Sequence, residues 1–342
     1  MNFNKKIKIF LLSGFLLLIL SDIFPQKPKE PKYLFKIASE APDGSTWITN
    51  IRKIGKDLNT ESKGEIGIVI YSGSIMGDQS TVIKKIKIGQ LNGATFSSQG
   101  LSLIYKDFAV MGFPMVFKNY EEYDYVKEKM TSYYDDEFEK RDYILLCWTE
   151  VGLIYLFSKD KVNSVQTLKK SKPLLIEGDS ISLALFNEIG TSPIPLQISD
   201  VMTGLQTGLI DTIFSSPYGL IAMQWFTKVN YMADFPITLM IGAVMIDSKL
   251  YNSMPENYRQ KMKSAFRTTF DNLNQKVRDD NNNALTAIKK QGLNILNVPE
   301  QDQKNFNIVC NNVAKNLTEK EYSRDLLKKI EDHVDNFRKN KK

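Results

Sequence analysis

The sequence has little of what most enzymes use for catalysis. It contains a single histidine, His333, and two cysteines, Cys147 and Cys310, which are 163 residues apart. No Ser-His-Asp set, CxxC pair, zinc-ligand spacing or dinucleotide fingerprint can be assembled from it. We therefore predict a protein that is not an enzyme and that has no metal or cofactor, although an enzyme using carboxylates alone stays open. We predict two buried thiols rather than a disulfide.

The sequence also lacks an apolar run long enough to cross a membrane. Its longest one, Ile9–Leu20, has twelve residues, whereas a span needs about 20. Three lysines precede this run, which is the pattern of a secretory signal. No A-x-A cleavage pattern follows, so residues 1–24 are predicted to be a signal peptide or an uncleaved N-terminal anchor, with a proline-rich linker at residues 25–33. The predicted location is the periplasm.

There is no strong excess of one charge in the mature chain. The formal net charge is +6, but residues 1–32 hold six lysines against two acids. The balance of about +2 argues against nucleic acid as a partner. About 310 residues remain after the leader, enough for two domains.

An alternation of strands and helices fills most of the chain. Residues 174–176 form an apolar run that stops at Glu177, and the apolar segment 209–214 runs into Ser215 and Ser216. In open α/β sheets, ligands lie outside the carboxyl ends of strands, so these turns are predicted to line a pocket. Ser98 and Gln99 follow another predicted strand in the same way.

Three longer segments complete the prediction. Residues 107–117 contain the apolar "FAVMGFPMVF", which favours a strand, and residues 216–231 are predicted to form an aromatic helix. Residues 143–149 and 152–158 are predicted as two strands passing between domains, with Gly152 able to act at a hinge. Residues 256–289 lack glycine and proline, and a helix of that length could span both domains.

Several blocks together resemble the substrate-binding proteins of TRAP (tripartite ATP-independent periplasmic) transporters. They are "FKIASEAPDGSTW", "YSGSIMGDQSTVIKKIKIGQLNGATFSSQGLS", "CWTEVGLIYLFSK", "LQTGLIDTIFSSP" and "FPITLMIGAVMIDSKLYNSMPE", in the order of that family. The resemblance implies an α/β, two-lobed periplasmic binding protein fold with a long domain-spanning helix. It places lobe I at residues 34–148 and 237–273, and lobe II at residues 149–236 and 274–338. The implied partners are a small-molecule ligand and the small and large integral membrane subunits of a TRAP transporter.

The resemblance also indicates the ligand site. Most of these proteins place an arginine on the strand after "LKGLK", where it grips the ligand carboxylate. Here Leu174 occupies that place, and a second position that is basic in some relatives is Ile154. A carboxylate enclosed without a paired donor loses hydration energy, so we predict an apolar or neutral ligand, or an amine. The predicted ligand-contacting residues are Ser98, Gln99, Trp148, Glu150, Leu174, Ile176, Glu177, Ser215, Ser216, Tyr218 and Trp225.

Two alternatives stay open. The fold could serve an interaction protein, or a carrier of lipids or other hydrophobic molecules, without a transporter. The protein could also bind a carboxylate through another basic residue, Arg52 or Arg141, although both lie on predicted helices.

Overall fold

The computed structural model describes residues 30–341. The predicted leader, residues 1–24, and linker residues 25–29 lie outside this range. None of the helices described in the remaining chain is long and apolar enough to cross a membrane.

The first part of the chain builds a parallel sheet whose strands all end at the same edge. Strand β1 pairs in parallel with both β2 and β3. Helix α1 begins after Ser45, whose side chain accepts a hydrogen bond from the Ile48 amide, and it buries one apolar face. The elements are β1 (Tyr33–Ala38), α1 (Thr46–Glu61), β2 (Ile66–Tyr71), α2 (Gln79–Lys87), β3 (Gly93–Ser97), α3 (Ser98–Ile104) and α4 (Tyr120–Glu139).

The second part of the chain adds shorter strands and helices and then returns. Its elements are β4 (Tyr143–Ser158), α5 (Val165–Lys169), β5 (Leu174–Ile176), α6 (Ser180–Ile189), β6 (Ile194–Leu196), α7 (Val201–Thr207), β7 (Thr212–Ser215), α8 (Pro217–Ala222) and β8 (Tyr231–Ala233). They are followed by β9 (Thr238–Asp247), α9 (Ser248–Asn252), α10 (Glu256–Lys290), β10 (Asn294–Leu296), α11 (Glu300–Lys320) and α12 (Arg324–Asn340).

Strand β4 connects the two lobes. The sheet order is β10-β8-β4-β9-β3-β1-β2, with β7 also paired to β4. The first twelve residues of β4, Tyr143–Ile154, run along β9, and its last residues pair with β7 and β8. The two strands predicted here are therefore one strand, which is irregular between Glu150 and Gly152. Gly152 has a φ of 120°, a conformation that glycine adopts without strain.

Helix α10 contacts both lobes, which confirms the predicted long helix. Phe266 and Phe270 pack into a core cluster with β1 and β9, while Ile288 packs with residues of β7 and α8. The α/β fold is therefore two-lobed, with apolar clusters on each side of the crossing strands.

Two local predictions differ from the structure. The predicted strand at residues 107–117 is wrong, because Lys106–Gly112 is a 3-10 helix with Phe108 and Val110 fully buried. A short apolar run that is buried all round has no period that separates strand from helix. The aromatic helix predicted at residues 216–231 ends at Ala222, and a separate 3-10 helix, Trp225–Lys228, follows it.

The last helix, α12, packs on lobe I, whereas the sequence-based division assigns residues 274–338 to lobe II. Leu326, Ile330 and Val334 of α12 pack into the core cluster of lobe I, against α4. Arg338 adds two hydrogen bonds of 2.9 Å to the buried Glu122 carboxylate. The apolar stripe of α12 is visible in the sequence, but a stripe does not tell which lobe will cover it.

Both cysteines are free and buried, as predicted. Burial raises the pKa of the Cys310 thiol to about 12 and that of Cys147 well above its usual value.

Candidate functional site

The carboxyl edge of the lobe I sheet carries a connected polar cluster. Ser39, after β1, and Thr95, in β3, share a hydrogen bond of 2.7 Å between their hydroxyl groups. Gln79, the first residue of α2, donates from Nε2 to Glu40 Oε2 at 3.0 Å and to Ser97 Oγ at 2.9 Å. These residues meet at one edge because β1, β2 and β3 are parallel.

Gln79 is held in place from both ends of its amide. Its Oε1 accepts a hydrogen bond of 3.1 Å from the Ser97 amide. The amide fills the space beside Gly100, where an added Cβ would lie 1.8 Å from Oε1. Gly100 is thus required for the position of Gln79.

Glu40 is an exposed residue whose carboxylate is partly shielded from water by its neighbours. Burial raises its pKa, the hydrogen bond from Gln79 lowers it, and the neighbouring charge of Asp78 raises it further. A small cavity beside it is lined by Ser39, Ser74, Thr95 and Phe96, among others. A cation or a neutral hydrogen-bond donor would therefore be favourable next to Glu40.

The facing edge of lobe II also carries acids and hydroxyl groups. The carboxylate of the exposed Glu177 accepts a hydrogen bond from the side-chain amide of Gln197. Asp179 caps α6 by accepting from the Ser182 amide at 3.0 Å, and Ser216 caps α8 by accepting from the Gly219 amide at 3.1 Å. Tyr218, in the first turn of α8, is 40% exposed.

The two edges come into contact. A Cβ added at Gly178 would lie 2.9 Å from Nε2 of Gln99, so the Gln99 amide reaches the backbone of lobe II. Ile181 of α6 packs against the lobe I core. The structure thus brings Gln99 of lobe I close to Gly178 of lobe II, next to the predicted residue Glu177.

Both carboxylate oxygens of Glu150 are bound in an ion pair at the hinge. Its fully buried carboxylate accepts two hydrogen bonds of 2.8 Å from Arg278 of α10. Arg278 also donates two bonds of 2.7 Å to Asp124, and its guanidinium lies 4.4 Å from the centre of the Tyr120 ring. Burial would raise the pKa of Asp124, but the bonds and charge of Arg278 and the charge of Lys127 outweigh it and lower that pKa.

Two asparagines of α10 hold the backbone of β4 on either side of this pair. Asn274 donates to the Trp148 carbonyl at 3.1 Å and accepts from the Glu150 amide at 3.1 Å. Asn281 donates to the Val151 carbonyl at 3.0 Å and accepts from the Tyr218 amide at 3.0 Å. The hinge segment of β4 is therefore fixed to one face of the long helix.

Four of the predicted residues lie inside the lobes. Trp148 stacks on Phe108 with 5.8 Å between ring centres and donates from its indole to Thr131 at 3.1 Å. Leu174 and Trp225 belong to a lobe II core cluster, and Ile176 packs against it.

The serines have partners in the backbone. Ser98 donates to the Ile241 carbonyl at 2.8 Å and Ser215 donates to the Ser216 carbonyl at 3.1 Å. These bonds orient the turns, while the ligand contacts themselves stay predictions.

The alternative arginines each have a local acid. Arg52 pairs with Asp43 at 2.5 Å, and Arg141 pairs with Glu137 at 2.8 Å. Across residues 30–341, no group of three His, Cys, Asp or Glu side chains is placed to hold a metal ion.

Glu40, Gln79, Arg278 and Asn281 were not among the predicted site residues. Glu40 had a usable signal, since it follows the first strand as Ser98 and Gln99 follow the third. The other three lie on helices, where nothing in the sequence marks a side chain that reaches another element.

Comparison with known proteins finds one family across most of the chain. Residues 37–321 match the family described as bacterial extracellular solute-binding protein, family 7 (DctP). The chain is 20% identical to the 2,3-diketo-L-gulonate-binding periplasmic protein YiaO of Escherichia coli, over 82% of this chain and 86% of that one. It is 22% identical to the C4-dicarboxylate-binding periplasmic protein DctP of Rhodobacter capsulatus, over 76% and 78%.

Solved structures share the fold. A TRAP periplasmic solute-binding protein from Ochrobactrum anthropi, with its C-terminus bound in the ligand-binding pocket, aligns with a TM-score of 0.82 at 18% identity, over 92% of this chain and 98% of that one. One from Desulfovibrio salexigens with bound orotic acid aligns with a TM-score of 0.78 at 18% identity, over 88% and 98%.

Proposed function

The chain belongs to the family 7 bacterial extracellular solute-binding proteins, the DctP-like binding proteins of TRAP systems, and we propose that it captures a small ligand without a carboxylate. This family consists of solute-binding proteins rather than enzymes, and its members capture small molecules. We also propose that a TRAP transporter receives this ligand and that the protein works in the periplasm.

The observation that carries the proposal is the charge of the cleft edges. Glu40 stands on the lobe I edge and Glu177 on the facing lobe II edge, while Leu174 occupies the place of the arginine expected from the resemblance. An enclosed acid would meet these carboxylates without a paired donor and would lose hydration energy. A neutral polar molecule or an amine would instead find acceptors on both sides.

The acids named in the relatives define the competing candidate. Solved structures with this fold hold orotic acid, D-glucuronate and pyroglutamic acid. For this chain to bind such an acid, a cation would have to enter the cleft. Arg52 and Arg141 are paired locally, and the guanidinium of Arg278 already serves two carboxylates.

Capture follows from contact with both lobes. A ligand held by the Ser39–Glu40 edge and the Glu177 and Ser215–Tyr218 turns would stabilise the closed arrangement more than an open one. The closed form would then be the one that the small and large membrane subunits of the TRAP transporter recognise.

Thermal-shift measurements with a panel of ligands test the proposal. The panel contains amines (putrescine, choline), neutral molecules (inositol, ribose) and acids (D-glucuronate, orotate, succinate). A bound ligand at about a hundred times its Kd stabilises by about 2.7 kcal/mol. We expect shifts with amines or neutral molecules, and an amine shift should be lost in Glu40→Gln, which keeps the bond from Gln79. Shifts with acids alone would contradict the proposal.

Native mass spectrometry of the purified protein covers ligands outside the panel. A bound molecule without an acid group supports the proposal. A bound lipid, or a protein partner with no small molecule, would instead favour a carrier or interaction protein.

A further inference from the structure

We infer that Asn281 is a positioning residue: it fixes the ligand-lining turn of lobe II to the hinge of β4. The inference rests on the proposed function only in taking the Ser215–Tyr218 turn to face the ligand. The link itself is geometric, and it can be tested without a ligand.

Asn281 joins three elements through one side-chain amide. Its Nδ2 donates to the Val151 carbonyl of β4 at 3.0 Å and to the Val277 carbonyl of its own helix at 2.9 Å. Its Oδ1 accepts from the Tyr218 amide of α8 at 3.0 Å. With the residue 5% exposed, water does not readily replace these bonds.

The partners of Asn281 are the two places where the cleft needs a fixed geometry. Val151 precedes Gly152, the hinge glycine, and a Cβ on Gly152 would lie 2.6 Å from Asn281 Nδ2. Tyr218 follows Ser216, which caps α8. Asn281 therefore couples the position of the Ser215–Tyr218 turn to that of the hinge backbone, since one amide bonds to both.

Asn274 provides a matched control. It lies seven residues earlier on the same helix, it is equally buried, and it makes two hydrogen bonds to the β4 backbone. Neither of these bonds reaches the Ser215–Tyr218 turn. Loss of either asparagine should lower stability, but only loss of Asn281 should release the turn.

Hydrogen exchange and interlobe distances measure the link. In Asn281→Leu we expect exchange in the peptide 216–222 to rise by about tenfold, the equivalent of about 1.4 kcal/mol. Spin labels on Lys53→Cys in α1 and Gln166→Cys in α5, both exposed sites, should report a broader distance distribution, and the two native thiols are buried. Asn274→Leu should leave exchange in the peptide 216–222 unchanged, because it frees the β4 backbone at Trp148 and Glu150 but not the turn.

Asn281→Asp keeps an acceptor for the Tyr218 amide and loses the donor to Val151. It should therefore retain the protection of residues 216–222 while the distance distribution broadens, and it serves if Asn281→Leu does not fold. Equal exchange at 216–222 in Asn274→Leu and Asn281→Leu, or unchanged exchange there in Asn281→Leu, would overturn the inference. The exchange measurement uses no ligand, so its failure is distinguishable from a failure of the proposed function in the thermal-shift panel.

Discussion

Glu150 on β4 and Arg278 on α10 form a two-bond ion pair at the point where the chain passes from one lobe to the other. The glutamate is fully buried, and the arginine side chain is 12% exposed. A buried pair of this kind adds little net stability over apolar residues, but each partner is required once the other is present. The pair thus fixes helix and strand together at the hinge.

Removal of Arg278 should be strongly destabilising. Arg278→Met leaves the Glu150 carboxylate buried with Lys127 3.9 Å away as its remaining cation, and we expect a loss of about 3–5 kcal/mol in the free energy of unfolding. Urea denaturation measures it. Arg267→Met is the control, because its pair with Asp135 is partly exposed and should contribute about 1 kcal/mol or less.

The double variant Glu150→Gln/Arg278→Met separates the pair from general damage to the helix. It should recover a large part of the loss, since the fully buried carboxylate is then gone and the half-exposed Asp124 keeps Lys127 at 3.4 Å. A double variant as unstable as Arg278→Met alone would contradict this account.

The sequence predicts the two-lobed fold well because local signals agree with one another. Glycine and proline separate apolar segments. Ser45 is a typical helix cap, and a long run without glycine or proline indicates α10. The sequence does not reveal the 3-10 helix at Lys106–Gly112, because its apolar residues, Phe108–Met111, are consecutive and all buried. The docking of α12 depends on contacts made by residues far apart in sequence.

The candidate site is harder to predict because it depends on side-chain direction. Turns after strands indicated Gln99, Glu177 and Ser216 correctly as residues at strand ends. Whether Trp148 or Leu174 points into a lobe or into the cleft depends on the twist and irregularity of the sheet, which residue types alone do not set.

Gly152→Ala should lower stability through both backbone and contact. Its φ of 120° is unfavourable for alanine, and the new Cβ would lie 2.6 Å from Asn281 Nδ2 and 3.0 Å from Tyr120 Oη. We expect a loss of about 2–4 kcal/mol by urea denaturation. Gly292→Ala, at a φ of 101° with nothing within 4 Å of the new Cβ, should lose only the backbone part, about 1–2 kcal/mol. Equal losses would show that the hinge contacts are unimportant.

The charge of Glu40 should make stability depend on pH. Because its folded-state pKa is raised above 4.5, the folded protein binds the proton more tightly than the unfolded chain does. The contribution of this tighter proton binding to the free energy of unfolding is complete below pH 4.5, and it is lost as the pH rises through the folded-state pKa. Glu40→Gln should therefore match the wild type near pH 4 and be more stable than it at pH 7, as measured by urea denaturation at each pH.

Asp78→Asn gives the opposite sign for comparison. Asp78 accepts a 2.7 Å hydrogen bond from the Thr81 amide, which lowers its pKa below 3.8. Its contribution is present above pH 3.8 and is lost as the pH falls through the folded pKa, so Asp78→Asn should be less stable than wild type at pH 7. A Glu40→Gln variant that is less stable than wild type at pH 7 would contradict the assignment of Glu40 as a partly desolvated carboxylate.

Gly100→Ala should displace Gln79 and dismantle the lobe I edge. The new Cβ would lie 1.8 Å from Gln79 Oε1 and 2.8 Å from Cδ1 of Phe96, so the amide must leave and its bonds to Ser97 and Glu40 are lost. We expect a loss of about 2–3 kcal/mol in the free energy of unfolding, measured by urea denaturation. Gly112→Ala, whose Cβ would meet ordinary contacts at 3.7 Å, is the control and should change stability by less than about 1 kcal/mol.

The double variant Gln79→Ala/Gly100→Ala decides whether the amide is the cause. If the loss in Gly100→Ala comes from expelling Gln79, then shortening that side chain first makes room. The stability loss of the double variant should therefore be smaller than the sum of the two single-variant losses. Only the contact with Phe96 would remain in the double variant. Full additivity would mean that Gly100 is needed for the packing of α3 on Phe96, and that the position of Gln79 beside Glu40 is not set by this glycine.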